Sequence, residues 1–271
     1  MTTRTAPFGR DAGVLGRRLA TKVPEVTVYF WIIKLLTTAG GESTADLLAQ
    51  EVLGMRVSLL LTAGVLALSL VLQLATRRYV VAVYWAAVVL VGIAGTLITD
   101  AIVQVLGVSE AMATLGFAGV LMGIFALWYR LEGTLSIHSI HTTRRELFYW
   151  AAVLITFALG TAAGDLTAFA LGWGFPLSIA LYAGVFAAAG LAHLRFGANA
   201  IVCFWLAYVV TRPLGASIAD YLAFGPDVGA LGLGLWQVSL AFGLAIAVLV
   251  GYLAVSGRDT PDDARVAATE G

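Results

Sequence analysis

Residues 84–100 read YWAAVVLVGIAGTLITD, and the same frame returns three more times: FWIIKLLTTAGGESTAD at 30–46, YWAAVLITFALGTAAGD at 149–165 and FWLAYVVTRPLGASIAD at 204–220. In every copy an aromatic residue precedes the tryptophan, which is Trp31, Trp85, Trp150 or Trp205. A glycine stands ten residues after it, at Gly41, Gly95, Gly160 and Gly215. An aspartate stands fifteen residues after it, at Asp46, Asp100, Asp165 and Asp220. With glycine at roughly one residue in nine and aspartate at roughly one in thirty, chance would supply both after about one tryptophan in three hundred. Four of the seven tryptophans carry the pair, so the chain is a tandem repeat.

The tryptophans lie 54, 65 and 55 residues apart. That spacing leaves room for two membrane spans per unit, since one span needs about 20 residues. A second apolar run follows each first one: RVSLLLTAGVLALSLVLQLAT (56–76), AMATLGFAGVLMGIFALWYRL (111–131), GFPLSIALYAGVFAAAGLAHL (174–194) and GLGLWQVSLAFGLAIAVLVGYLAV (232–255). The reading is an all-α, polytopic membrane protein with eight transmembrane helices, in repeats spanning about 22–76, 77–131, 142–194 and 195–256. The loops before the repeats carry Arg17, Arg18 and Lys22, then Arg77 and Arg78, then Arg130, Arg144 and Arg145, then Arg195; Arg258 follows the last span. The opposite loops offer little beyond Arg56. By the positive-inside rule both termini are cytoplasmic. Two spans per unit also turn every unit the same way, so the repeats are expected to be parallel, about an axis along the membrane normal.

Composition agrees. The chain is 60% hydrophobic and 12% charged, with a mean hydropathy of +0.92; a soluble domain is nearer half apolar and a quarter charged. Sixteen basic and sixteen acidic residues cancel, so no bulk charge points to nucleic acid, and the expected surroundings are the lipid bilayer. The one cysteine, Cys203, lies in an apolar run and reads as a buried, inert thiol. Residues 1–21 lack the apolar core and cleavage site of a signal peptide and read as a basic cytoplasmic lead-in. Residues 257–271 read as a short, polar, disordered cytoplasmic tail.

On these residues the chain resembles a bacterial integral-membrane ("membrane-anchored") family built from four tandem repeats of unknown function. Each unit of that family has two transmembrane segments and a characteristic tryptophan, which maps here onto Trp31, Trp85, Trp150 and Trp205. The resemblance covers about residues 22–256. It implies the architecture and a bacterial plasma-membrane location, and it implies no activity.

With each tryptophan at zero on a helical wheel, positions +3, +7, +10, +11, +14 and +15 fall within about 140° of one another. In the first repeat that face holds Lys34, Thr38, Gly41, Glu42, Ala45 and Asp46. Gly41/Ala45, Gly95/Thr99, Gly160/Gly164 and Gly215/Ala219 are small residues four apart, a pattern that lets helices approach closely in lipid. The four first helices are therefore expected to meet in an inner bundle, with the second helices outside. The aspartates read in two ways, as groups lining a pathway or as caps for the following loop. Departures from the repeat favour chemistry. Lys34 stands where the other units have Val88, Val153 and Tyr208, and Glu42 where they have Thr96, Thr161 and Ala216. Arg212 replaces Thr38, Gly92 and Phe157, and the helix-kinking Pro213 follows it.

Five carboxylates against two cations call for a further positive partner. The reading is a secondary transporter or permease for a small cation, with Glu42, Asp46, Asp100, Asp165 and Asp220 exchanging protons for substrate and Lys34 and Arg212 as counter-ions. Oxygen ligands favour a hard ion such as Mn²⁺ or Mg²⁺, with Glu42, Asp46 and Asp165 as the metal set. An organic cation suits the same acidic cavity. A membrane scaffold or sensor with structural ion pairs is the second reading. An intramembrane enzyme is the third, since no nucleophile, phosphate loop or zinc-protease helix is present, and no cofactor is expected. His138 and His141 read as part of a solvated turn, His193 as a headgroup-boundary residue, and Trp128, Trp173 and Trp236 as interfacial or core residues. Eight spans form either a complete monomer or a protomer of a homo-oligomer.

Overall fold

The computed structural model describes residues 21–261. Among them every long element is a helix: α1 (Val28–Asp46), α2 (Met55–Ala75), α3 (Val81–Asp100), α4 (Glu110–Glu132), α5 (Thr143–Asp165), α6 (Gly174–Phe196), α7 (Ala200–Ala223) and α8 (Leu235–Ser256). Local signals set the ends. The side chains of Thr27, Ser109, Thr142 and Asn199 accept hydrogen bonds from the free N–H groups of the first turns of α1, α4, α5 and α7. Helices α4 and α6 stop at Gly133 and Gly197, whose φ angles of 71° and 65° suit glycine best.

Helices α1, α3, α5 and α7 form a closed ring, each touching the next and α7 returning to α1. The second helix of each unit packs on the first helix of the following unit: α2 on α3, α4 on α5, α6 on α7, and α8 back on α1. Of the span windows, 61–67% is buried in α3, α5 and α7 against 17–28% in the second helices, which places the latter on the outside.

Two contacts repeat around the ring. The aromatic residue before each tryptophan packs on the tryptophan of the next unit: Phe30 on Trp85, Tyr84 on Trp150, Tyr149 on Trp205 and Phe204 on Trp31, with centroids 5.6–6.3 Å apart. Farther along, each glycine faces the next unit seven or eight residues after its tryptophan. Gly41 meets Gly92, Gly95 meets Phe157, Gly160 meets Arg212 and Pro213, and Gly215 meets Thr38 and Ala39. In lipid the hydrophobic effect does not draw helices together, so close backbone approach and interhelical hydrogen bonds must do so. Thr99 supplies one such bond, donating to the Ala158 carbonyl at 3.0 Å.

Seven of the eight helices are long and apolar enough to cross a membrane, one fewer than the sequence reading. The difference is α1, where Lys34, Thr37, Thr38, Glu42 and Asp46 dilute the apolar content. The helix tolerates them because α3, α7 and α8 flank it and all five side chains are buried.

At the tryptophan end the bundle is tied shut by chain outside the helices. Lys22 donates to Glu146 at 2.7 Å and to the Leu74 carbonyl at 3.0 Å, and Gln73 donates to Glu146 at 3.1 Å. Val23 joins the aromatic core. Residues 257–261 belong to this knot, which corrects the expectation of a disordered tail from 257 onward. Buried Asp259 accepts from the Tyr79 hydroxyl at 2.5 Å, and its carbonyl accepts from Glu25 N–H at 2.9 Å. Burial, and then the Asp259 carboxylate, push the Tyr79 hydroxyl well above its ordinary pKa, so it remains a donor. Residue 21, placed in the lead-in by the sequence reading, is buried here as well. The remainder of the lead-in and of the tail lies outside the described residues.

The ring predicts a contrast between glycines. A Cβ at Gly95 would lie 2.7 Å from Phe157 Cβ and 3.0 Å from the Ala158 backbone nitrogen, whereas one at Gly119 on α4 meets nothing within 4 Å. Gly95→Ala should lower stability in detergent by about 1–3 kcal/mol. Gly119→Ala should be neutral or raise it by up to about 1 kcal/mol. Thermal unfolding of the two purified variants checks this, and equal effects would contradict the close packing of α3 on α5.

Candidate functional site

The inner face stacks in layers about 6 Å apart, the rise of four helical residues. Above the aromatic layer lie Lys34, Val88, Val153 and Tyr208; then Thr38, Gly92, Phe157 and Arg212; then Glu42, Thr96, Thr161 and Ala216; and last the four aspartates. Every residue of the three middle layers is buried.

Arg212 holds the centre. One guanidinium nitrogen donates to the Thr38 carbonyl at 3.0 Å. The other donates to Glu42, to the Thr96 hydroxyl and, at 2.9 Å, to the Thr161 hydroxyl. Thr96 and Thr161 in turn donate to the same Glu42 oxygen at 2.9 and 3.2 Å. The network thus joins α1, α3, α5 and α7 at one point. Gly160 makes room for it, since a Cβ there would overlap the Arg212 side chain. Arg212 is ion-paired with Glu42. The two threonines are ligands that the sequence reading did not single out, although both occupy the position of Glu42 in their own units.

Lys34 does not act as a counter-ion to a carboxylate, and this corrects the expectation. Its ammonium lies over the rings of Phe157 at 3.9 Å and Tyr208 at 4.2 Å, fully buried and with no hydrogen-bond partner. The two rings come from α5 and α7, and their negative faces take the place of a carboxylate.

The aspartates are left without a cation. Carboxylate oxygens of Glu42, Asp46 and Asp220 lie within 4.8 Å of one another, all three residues buried. The metal set expected from the sequence named Asp165 in place of Asp220. Asp220 takes that place because α7 adjoins α1 in the ring, whereas α5 faces α1 across it. Asp165 is half-buried and within electrostatic reach of Glu42, Asp100 and Asp46, and Asp100 is buried within reach of Glu42. Asp46 accepts from Gln50 at 3.1 Å; the carboxylates of Asp100, Asp165 and Asp220 make no hydrogen bond or ion pair among the described residues.

The side chains of Asp46, Asp100 and Asp165 make no capping hydrogen bond to the turns that follow them. Asp46, Asp100 and Asp165 are followed at once by π-helical turns, Leu47–Val52, Ala101–Val105 and Leu166–Ala170, while α7 runs on beyond Asp220 to Ala223. π-turns recur at functional sites because they widen the helix where a side chain must be re-aimed. His138 faces Glu25 at 3.5 Å on the outside of the bundle.

A ring of apolar helices with an ion pair and carboxylates sealed in its centre defines an integral membrane protein of the repeat-built, multi-pass class. The particular family follows from comparison. A repeat of unknown function (DUF347) matches four times in tandem, at residues 29–79, 83–134, 148–199 and 203–259, and the chain belongs to that family. No curated protein and no solved structure matches it.

Removing one partner of a buried ion pair strands the other, at about 3–5 kcal/mol. Arg212→Met and Glu42→Met should each lower stability by about that amount, and the double variant should lose clearly less than the sum. A double-mutant cycle from unfolding in detergent tests this; strictly additive losses would show that the two residues do not act as a pair.

Proposed function

We propose that this chain is a secondary transporter for a small cation in a bacterial plasma membrane. Its four units would stand as parallel repeats about an axis along the membrane normal, with both termini cytoplasmic. The loop arginines support that orientation, and the register of the glycine and tryptophan contacts supports the parallel arrangement.

One observation carries the reading: three buried carboxylates within 4.8 Å, served by a single guanidinium. Carboxylates this close and shielded from water are not all anionic together unless a positive charge joins them. A proton or a bound cation meets that need, and exchange between the two is transport coupled to a proton gradient. Asp46 and Asp220 bind the cation from α1 and α7, and Glu42 joins them when Arg212 lets it go. Asp100 and Asp165 relay protons beside them. Oxygen ligands favour a hard divalent ion, Mn²⁺ or Mg²⁺.

The test is total cellular metal by mass spectrometry in cells expressing the wild type, Asp46→Asn, Asp220→Asn or Asp165→Asn under a panel of metal challenges. One metal should rise or fall selectively with the wild type. The change should vanish in Asp46→Asn and Asp220→Asn, with each protein confirmed in the membrane, and weaken in Asp165→Asn. Unchanged metals with well-inserted protein would remove the metal reading. The Arg212 network, which ties all four inner helices, favours a second reading as a structural scaffold; that reading predicts lower stability in the variants and no metal phenotype.

A further inference from the structure

The outer helices begin at the aspartate end in a common register. Ser58, Ala113, Ser178 and Val238 are buried in α2, α4, α6 and α8, and Leu66, Leu121, Phe186 and Ile246 follow eight residues on. Three residues before each of the first set stand Met55, Glu110, Phe175 and Leu235. Met55 packs against Ala45 of α1 and Ile93 and Leu97 of α3. Phe175 packs with Ala168, just after α5, and with Ala230, beyond α7. Leu235 packs with Ala223 of α7 and with Leu47, just after α1. Three seams between neighbouring inner helices are thus plugged by apolar side chains. The fourth, between α3 and α5, has a carboxylate at that place.

Glu110 lies beside the aspartates. Helix α4 touches both the Ala101–Val105 and the Leu166–Ala170 turns, which follow Asp100 and Asp165. Glu110 is within electrostatic reach of both aspartates. It is half-buried, and one of its carboxyl oxygens is shielded from water with no hydrogen-bond partner among the described residues. Thr114, one turn farther along the same face of α4, also has a buried hydroxyl without a partner there. Asp100 is only 7% exposed, with its carboxylate unpartnered, and Asp165 across the seam is the least buried of the four aspartates. Leaving such oxygens unbonded costs stability that an apolar side chain at the same place would not.

We infer that Glu110 forms the mouth through which cations in water reach the aspartates, between the first turn of α4 and the turns that follow α3 and α5. Low-dielectric walls focus its field, so the mouth draws cations and turns anions away. The inference rests on the transport reading for what the mouth serves, whereas its test reads access and charge selection alone.

The test uses the full-length protein in nanodiscs carrying Asp165→Cys, with the wild type, whose single cysteine Cys203 is buried, as the blank. Two methanethiosulfonate reagents, one a trimethylammonium cation and one a sulfonate anion, modify the thiol, and intact mass gives each rate relative to that with free cysteine. The cation should be favoured about tenfold. Glu110→Gln should cut that preference about threefold or more. Glu110→Leu, which copies Leu235, should slow both reagents. Asp220→Cys, between the seams plugged by Phe175 and Leu235, should react far more slowly than Asp165→Cys. If Asp165→Cys does not fold, Asp100→Cys on the same seam takes its place. Equal rates at Asp220→Cys and at the seam, no reaction at the seam, or a preference that Glu110→Gln leaves unchanged overturns the inference. A selective mouth in a protein that moves no metal leaves this inference standing and removes the metal reading alone.

Discussion

A guanidinium buried at the centre of a helical ring cannot be left unmatched, and the surrounding structure answers to that requirement. Arg212 takes a carboxylate from α1, hydroxyls from α3 and α5 and a backbone carbonyl from α1. Its bulk is admitted because Gly160 has no side chain. The carboxylate that neutralises it is thereby withdrawn from the acidic group one layer farther along. What remains there is a set of aspartates with no cation of their own. On the transport reading, a mobile charge answers at Asp46 and Asp220 the need that Glu42 answers at Arg212.

Repetition and its breaches divide the labour. The glycines and tryptophans recur at the same offsets in all four units, and they build the interfaces by which the ring closes on itself. Lys34, Glu42 and Arg212 each occur once, on interior layers where the other units carry apolar, small or hydroxyl groups. A tandem array of identical units would place four like groups in every layer. Four lysines or four arginines in such a space would repel, so a charged interior requires that the units differ.

Much of this was legible along the chain. The 54-, 65- and 55-residue spacing exposed the units, and the helical wheel placed Lys34, Gly41, Glu42 and Asp46 on one face, where the structure has them. What a wheel cannot supply is which helix stands beside which. Asp165 and Asp220 have the same height and azimuth in their own units, and only the closure of α7 onto α1 brings Asp220 to Glu42. The need of a buried cation for a partner points Lys34 to a carboxylate, yet its partners are π-faces contributed by Phe157 and Tyr208 from other units. Asp259 gave no sign of burial, because a single aspartate in a polar tail is identical in sequence whether or not a tyrosine such as Tyr79 reaches it.

The axial order of charges also bears on what kind of transporter this ring would be. A cation entering among the aspartates meets Glu42 next, then Arg212 one layer on and Lys34 one layer beyond. The fixed guanidinium of Arg212 in a water-poor interior repels a second cation strongly, since screening by solvent is weak there. An open pore along this axis would therefore select against its own substrate. Passage requires that Arg212 leave Glu42 and that the Phe157 and Tyr208 rings around Lys34 rearrange. The knot of Lys22, Glu146, Tyr79 and Asp259 must also loosen at the far end. On the transport reading these barriers belong to a carrier that exposes its carboxylates to one side at a time, with proton and cation taking turns at the same oxygens. Conduction as a channel is the alternative that this sequence of charges opposes most directly.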